Sequence, residues 1–194
     1  TTGIKNTLIG GLAGDSLTTG NNNIAIGYSA LGAEDTGSRN VAIGQSALSS
    51  LNFNGDGYNI AIGHNAGVAI TTGVRNTVIG GLAGDALTTG SQSTFVGYNA
   101  GGATTDQSFN TAIGDSALTA NVNGAKNVAI GNSALATMNP SSNTNTFNVA
   151  VGHDAGKAVT TGVENVLIGG EAGDALTTGS YNVAIGKSAL SAED

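Results

Sequence analysis

The sequence predicts an all-β fold, a parallel β-solenoid (β-roll) of about eleven coils, and three observations lead to that prediction. A unit of about 17 residues recurs along the whole chain. Each unit carries a short β-branched run that ends at a glycine. The composition lacks the large side chains of a globular core, with 32 Gly, four Phe, four Tyr and no Trp. Because one such unit cannot bury its own apolar residues, the units must stack.

The repeat units form a single array over residues 1–194. Their first residues are Asn6, Asn23, Asn40, Asn59, Asn76, Ser93, Asn110, Asn127, Asn148, Asn165 and Asn182. These first residues are evenly spaced except from Asn40 to Asn59 and from Asn127 to Asn148, so two units carry short insertions. We therefore predict eleven 17-residue coils, stacked about 4.8 Å apart into a rod of about 50 Å.

The fixed positions of the unit predict its local structure. The second position is always β-branched and the fourth is always Ile or Val, as in Val41 and Ile43, which favours a strand. The fifth is always Gly, which predicts a positive φ or a close backbone approach. The eighth is always Ala, which indicates a tight packing site. The first is almost always Asn, which suits a turn and predicts a ladder of stacked Asn side chains.

The third position of the unit is never polar, and this absence of polar residues leads us to predict an oligomer. Period-2 spacing puts the second and fourth side chains on one face, which we expect to line the lumen, and the third on the other. An outward face without polar residues requires a partner, and the simplest is another copy of the chain around a symmetry axis. The expected interface residues are Leu8, Ala25, Ala42, Ala61, Val78, Phe95, Ala112, Ala129, Ala150, Leu167 and Ala184.

Charge excludes several classes of partner. The net charge is −7 and there is no basic stripe, so we expect no nucleic-acid partner. No apolar run is long enough for a transmembrane helix, so we expect no membrane insertion. Neither an initiator Met nor a signal peptide is present, and we expect the sequence to be an excerpt or a processed product. Residues of both signs precede the unit's Asn, as Lys5, Arg39 and Glu164 do, which predicts a solvated corner.

The Asn-Val-Ala-Ile-Gly run, as in Asn40 to Gly44 and Asn182 to Gly186, resembles the head repeats of YadA-like trimeric adhesins. That resemblance implies a left-handed parallel β-roll with three chains around one axis. The longer units, with Ser-Ala-Leu and Thr-Thr-Gly-x-x-Asn, are even more similar to repeats of bacteriophage tail fibres and large bacterial surface proteins. The unit differs from the YadA-like repeat in length, since that family's unit is shorter.

Each motif that could indicate a metal, ligand or catalytic site also has a simpler interpretation as a turn or a solvent-exposed position. His64 and His153 follow the fixed Gly and would form a three-histidine ring in a trimer, but varied residues at this position indicate solvent exposure. Gly10 to Leu17 superficially resembles a calcium-binding repeat, yet Asp15, Asp85 and Asp174 fit turns better. The Thr-Thr-Gly sequences, which begin at Thr18, Thr71, Thr88, Thr160 and Thr177, suit a turn better than an ice-binding ladder. No phosphate loop or nucleophile elbow is present, so we predict no cofactor, metal or catalytic residue.

The two insertions are the best candidates for receptor contact, because loops on rigid scaffolds carry recognition and exposed aromatic rings stack on sugars. A harmless surface bulge is the alternative interpretation. The candidate contact residues are Phe53, Asn54, Asp56, Tyr58, Asn139, Asn143, Asn145 and Phe147.

Three functions follow as hypotheses. The first is a homotrimeric structural segment of a phage tail fibre or similar virion appendage in host attachment, with a host-surface glycan or protein as a further partner. The second is a trimeric adhesin at the bacterial cell surface. Neighbouring genes would separate these two, tail genes for one and a membrane-anchor barrel for the other. The third, a polysaccharide-degrading β-helix enzyme, needs a carboxylate pair that nothing in the sequence singles out, so we expect no enzyme.

Overall fold

The computed structural model describes residues 2–192, and these form the predicted parallel β-solenoid of eleven coils without a helix. Each coil contributes one three-residue strand to a single eleven-stranded sheet. These strands are β1 (Thr7–Ile9), β2 (Ile24–Ile26), β3 (Val41–Ile43), β4 (Ile60–Ile62), β5 (Thr77–Ile79), β6 (Thr94–Val96), β7 (Thr111–Ile113), β9 (Val128–Ile130), β11 (Val149–Val151), β12 (Val166–Ile168) and β13 (Val183–Ile185).

The coils stack in chain order and in one continuous register. Each strand pairs in parallel with the next, so that Thr7 lies beside Ile24 and Leu8 beside Ala25. The insertions do not disturb this register, since Val41 pairs with Ile60 across the first and Val128 with Val149 across the second. A separate two-stranded parallel sheet joins β8 (Gly124–Ala125) to β10 (Thr144–Asn145), which lies in the second insertion.

The prediction of which strand face lines the lumen was wrong. The middle residue of each strand points into the lumen, whereas the two flanking residues point outward. The proposed interface residues are therefore core residues of a single chain, and their side chains do not reach a neighbouring copy. Only Leu8, in the first coil, is largely exposed. The buried members are Ala25, Ala42, Ala61, Val78, Phe95, Ala112, Ala129, Ala150, Leu167 and Ala184.

The side chains at the third and ninth positions of a unit share the lumen, and in most coils one of them is large where the other is small. Where the third residue is Ala, as in Ala25 and Ala112, the ninth is a buried Leu, Leu31 and Leu118. Where the third residue is large, the ninth is Gly, because the ring of Phe95 would lie 2.7 Å from a Cβ at Gly101. Coils four and nine are exceptions, with Ala and Gly at these positions, and the space beside Gly67 is filled by Ile70 and by Leu48 of the preceding coil. Close packing of this kind explains why the third position is never polar.

The predicted roles of Asn and Gly are confirmed. The Oδ1 of Asn59 accepts the N–H of Asn76 at 3.0 Å, and the Nδ2 of Asn76 donates to the carbonyl of Gly90 at 2.9 Å. Ser93 continues this ladder by accepting the N–H of Asn110 with its hydroxyl, at 3.2 Å. The fifth-position Gly63 has a φ of 140°, and a Cβ there would meet the backbone carbonyl group of Gly80 in the next coil.

Glu34 is the exception among the large side chains of the lumen, because it is charged. It is fully buried at the position that holds Leu17 and Leu51 in the adjacent coils. Its Oε1 accepts the N–H of Gly37 at 2.7 Å, and its Oε2 accepts the N–H of Phe53 at 3.3 Å. Burial raises the pKa of the Glu34 carboxyl above its usual value, and these hydrogen bonds oppose the rise.

Candidate functional site

The outward side chains of the eleven-stranded sheet form a continuous apolar surface, which we call the outer stripe. It consists of the second and fourth residues of every unit, Thr, Val or Ile at one and Ile or Val at the other. None of these 22 residues is buried in the single chain. Ile60, Ile113 and Ile168 are each more than a third exposed. A parallel sheet normally has both faces covered, so the outer stripe is an uncovered face.

A second surface feature, the corner column, runs along one edge of the outer stripe. It is the residue before each unit's first position, and all eleven of these are exposed, as the mixed charges predict. Every one has a positive φ between 51° and 64°. Its members are Lys5, Asn22, Arg39, Tyr58, Arg75, Gln92, Phe109, Lys126, Phe147, Glu164 and Tyr181.

The first insertion folds back on the preceding coil. Phe53 is partly buried and packs against the core, and the Oδ1 of Asn54 accepts the hydroxyl hydrogen of Thr36 at 3.1 Å. Asp56 forms an ion pair with Arg39. Of the four candidate contact residues here, Tyr58 therefore presents the largest exposed apolar surface, at 49% exposure.

The second insertion is held in the same way. The Oδ1 of Asn139 accepts the N–H of Val122 at 3.2 Å, and Asn145 pairs with Ala125 in the small sheet. The Nδ2 of Asn143 donates to Asp106 at 3.3 Å. Hydrogen bonds from Gln107, Thr105 and Asn143 lower the pKa of Asp106. Phe147 ends this insertion as an exposed member of the corner column.

The other residues that the sequence suggested as binding sites are either distant from one another or part of the fold itself. His64 and His153 are exposed and five coils from each other, about 24 Å. Asp15, Asp85 and Asp174 lie in turns, as predicted. Several Thr-Thr-Gly sequences bind the next coil, since Thr18 donates its hydroxyl to the carbonyl of Asp35 at 2.9 Å and Thr88 to that of Thr105 at 3.0 Å. Within residues 2–192, no group of three or more His, Asp or Glu side chains is placed to hold a metal ion.

A cavity of about 320 Å³ lies at the first coil, lined by Leu8, Gly14 and Leu17 among others. These three residues occupy lumen positions of the repeat, so the cavity is the open end of the lumen at the first coil. Lys5, Asn6, Asp15 and Thr18 also line it. No helix in the described part of the chain is of the length and apolarity that crossing a membrane requires.

No family model, curated protein or solved structure matches the chain significantly. The fold and the two surface features therefore define the class of the molecule, a parallel β-solenoid with one uncovered sheet face.

The sequence interpretation missed the outer stripe as a surface, although a signal for it was present. In nine of the eleven coils the third and ninth positions exchange size, Ala with Leu and large residues with Gly. Such an exchange requires the two side chains to share one enclosed space, which identifies the third position as internal. The second and fourth positions show no matching exchange.

Proposed function

We propose that this chain is a structural segment of a homotrimeric fibre, a phage tail fibre or similar virion appendage that spaces or presents a site for attachment to the host. The observation that carries the proposal is the outer stripe. It is about 50 Å long and roughly 10 Å wide, on the order of 500 Å² of mostly apolar surface. That area is at the upper end of the largest patches on monomeric proteins, so a partner that covers it is the simplest explanation.

A second copy of the same chain fits the outer stripe better than an unrelated partner. The stripe has the same residue types in every coil and the same rise throughout, so another parallel solenoid matches it over its whole length. Chains arranged around an axis parallel to the rod would bury all the stripes together and give a closed assembly. The number three and the left-handed winding come from the resemblance to trimeric fibre repeats.

The stiffness of the solenoid supports a spacer role. Backbone bonds, the Asn ladder and side-chain hydroxyls join adjacent coils, and each described strand contacts only the strands of the coils next to it. A molecule of this kind holds its ends at a fixed separation, which a fibre segment requires. The expected location is the virion tail fibre.

The experiment is the native mass of the segment by light scattering after gel filtration. A mass of three chains is the expected result, and a mass of one chain would contradict the proposal. Ile113→Lys puts a charge on the outer stripe and should reduce the mass to one chain, because a buried unpaired charge is costly. The matched control is Ala120→Lys in the same coil but outside the strand, which should leave the mass unchanged.

A further inference from the structure

The corner column concentrates the positive charge of an acidic protein. The chain has six Lys and Arg residues against 13 Asp and Glu. Four of those six cations, Lys5, Arg39, Arg75 and Lys126, stand in the corner column, and all four are exposed. The column has one acidic residue, Glu164. Because the chain as a whole is acidic, with a net charge of −7, its overall composition does not explain why most of its cations stand at one position.

The same column also holds half of the aromatic residues. Tyr58, Phe109, Phe147 and Tyr181 belong to it, out of four Tyr and four Phe in the chain. Their exposures lie between 47% and 73%. Single exposed apolar side chains are normal on a protein surface, but rings that recur at one position of the repeat form a line, and such grouping marks interaction sites.

Cations and rings alternate along the middle of the column. From coil three to coil nine the order is Arg39, Tyr58, Arg75, Gln92, Phe109, Lys126 and Phe147, with no acidic residue among them. We call this run the cation–ring run. The Arg39 guanidinium lies 5.6 Å from the ring centre of Tyr58, and the Lys126 ammonium lies 5.1 Å from that of Phe147.

The cation–ring contacts within the run leave ring faces and positive charges available to a ligand. A cation on one face of a ring leaves the other face free, and exposed contacts of this kind contribute only about 0.5–1 kcal/mol. Among the described residues, Arg39 is the one member of the run with a carboxylate partner, Asp56. Arg75 and Lys126 therefore carry positive charge toward solvent.

The backbone under the run is rigid and regularly spaced. The N–H of Arg75 donates to the carbonyl of Gly57 at 2.8 Å, and that of Gln92 donates to Val74 at 3.0 Å. Neighbouring members are one coil apart, about 4.8 Å, so Arg39 and Arg75 are separated by about 9.6 Å. The run as a whole extends about 29 Å. Arg75 and Lys126 are three coils apart, about 14.4 Å. A straight row of this kind fits an extended polymer of charged sugar rings.

We propose that the cation–ring run binds an extended anionic polysaccharide, with Tyr58, Phe109 and Phe147 stacking on sugar rings and Arg75 and Lys126 binding carboxylate or sulfate groups. This inference deepens the proposed attachment role and rests on it. A nucleic acid is disfavoured, because proteins that bind it present broad basic surfaces and the run is a single row one residue wide. The shared chemistry of the ligand is a sugar ring beside an acidic group.

The experiment measures binding of the native segment to four polymers at low ionic strength: polygalacturonate for uronate, heparin for sulfate, dextran for neutral sugar and oligothymidylate for phosphate with bases. The cation variant is Arg75→Ala with Lys126→Ala, and its control, Lys157→Ala with Lys187→Ala, changes the net charge equally outside the run. The ring variant is Tyr58→Ala with Phe109→Ala. Its control is Tyr28→Ala with Tyr98→Ala, two rings that are each 57% exposed outside the run.

We expect polygalacturonate or heparin to bind, dextran to bind far more weakly, and both run variants to lose about tenfold or more in affinity while the controls stay near the parent. Added salt should weaken the binding. The proposal is overturned if neither acidic polysaccharide binds, if the controls lose as much as the run variants, or if oligothymidylate binds as tightly. The native mass of each variant is measured in parallel, so a failure to trimerise is distinguished from a failure to bind.

Discussion

At the scale of the residue, the lumen shows that a buried carboxyl can replace an aliphatic side chain when backbone donors surround it. Glu34 lies between the lumen positions of Leu17 and Leu51 and accepts two backbone N–H groups. The raised pKa of Glu34 shows that burial outweighs those hydrogen bonds. Glu34 therefore makes the stability of the folded chain depend on pH.

We predict that Glu34→Gln stabilises the protein at pH 7. The folded state holds the Glu34 proton more tightly than the unfolded state, so this stabilisation is fully present below the unfolded pKa, near 4.5, and is lost as pH rises through the folded pKa. Gln stays neutral and keeps an acceptor for the N–H of Gly37, and it gives up only the longer bond from Phe53, at 3.3 Å. Thermal unfolding at pH 7 and pH 4 checks this, and the advantage of the variant should shrink at pH 4.

The control is Glu164→Gln, which neutralises an exposed corner residue. It should change the unfolding temperature little at either pH. If Glu34→Gln were instead destabilising at pH 7, then the ionised carboxylate would be contributing to the fold, and the burial argument would be contradicted.

At the scale of the element, each coil is completed by a pair of side chains that share the lumen. Phe95 fills the space beside Gly101, and Gly84 in the preceding coil leaves room for the same ring. In coil two the same space is filled in the opposite way, by Ala25 and Leu31. The two solutions put similar volume into the lumen from different points of the coil, so they should be interchangeable.

We predict that Phe95→Ala alone costs about 3–5 kcal/mol, because it opens a cavity. Gly101→Leu alone should also destabilise, because the new side chain meets the Phe95 ring. Leu itself is compatible with this backbone, since Leu31 has a φ of 53° at the equivalent position. The double variant should therefore be more stable than the sum of the single losses, with a coupling energy of about 0.5–3 kcal/mol. Chemical denaturation of all four proteins measures the coupling, and additive losses would contradict the exchange.

At the scale of the whole molecule, the solenoid is a one-dimensional stack. Each strand contacts only the strands of adjacent coils, in every case through the same register. Stability is therefore close to a sum of coil and neighbour terms. The insertions fit this description because they return the chain to the same position in the next coil.

We predict that deleting residues 77–93, one complete repeat unit, leaves a folded solenoid. The deletion joins Asn76 to Thr94, so the Asn ladder and strand register continue, and Gly67 takes the place of Gly84 beneath Phe95. The denaturant m-value should fall roughly in proportion to the residues removed, because it follows the surface exposed on unfolding. Deleting residues 77–84 is the control, and it should prevent folding because half a unit places strand residues against turn residues. A half-unit deletion that folds equally well would contradict the stacking model.

The sequence predicted the local structure of each coil, but it did not predict correctly which face of the strand is internal. The unit starts, the strand positions, the Asn ladder, the fifth-position Gly and the exposed corner are all found where the repeat placed them. The assignment of Ala25 and the other buried third-position residues to an interface between copies was wrong. Of the candidate contact residues, Tyr58 and Phe147 are exposed as expected, and the polar ones named above already have partners within the chain.

The sequence by itself determined the number of coils and their register, because a fixed Gly in every unit and an Asn in ten of the eleven leave one way to align successive turns. Only the tertiary structure decided which strand face is internal. A three-residue strand alternates its side chains, and alternation separates two faces without saying which one is enclosed. The narrow lumen settles that choice, since nine of the eleven coils place one Ala with a Leu, or one large residue with a Gly, at its third and ninth positions. The bulkier β-branched pair must therefore point outward.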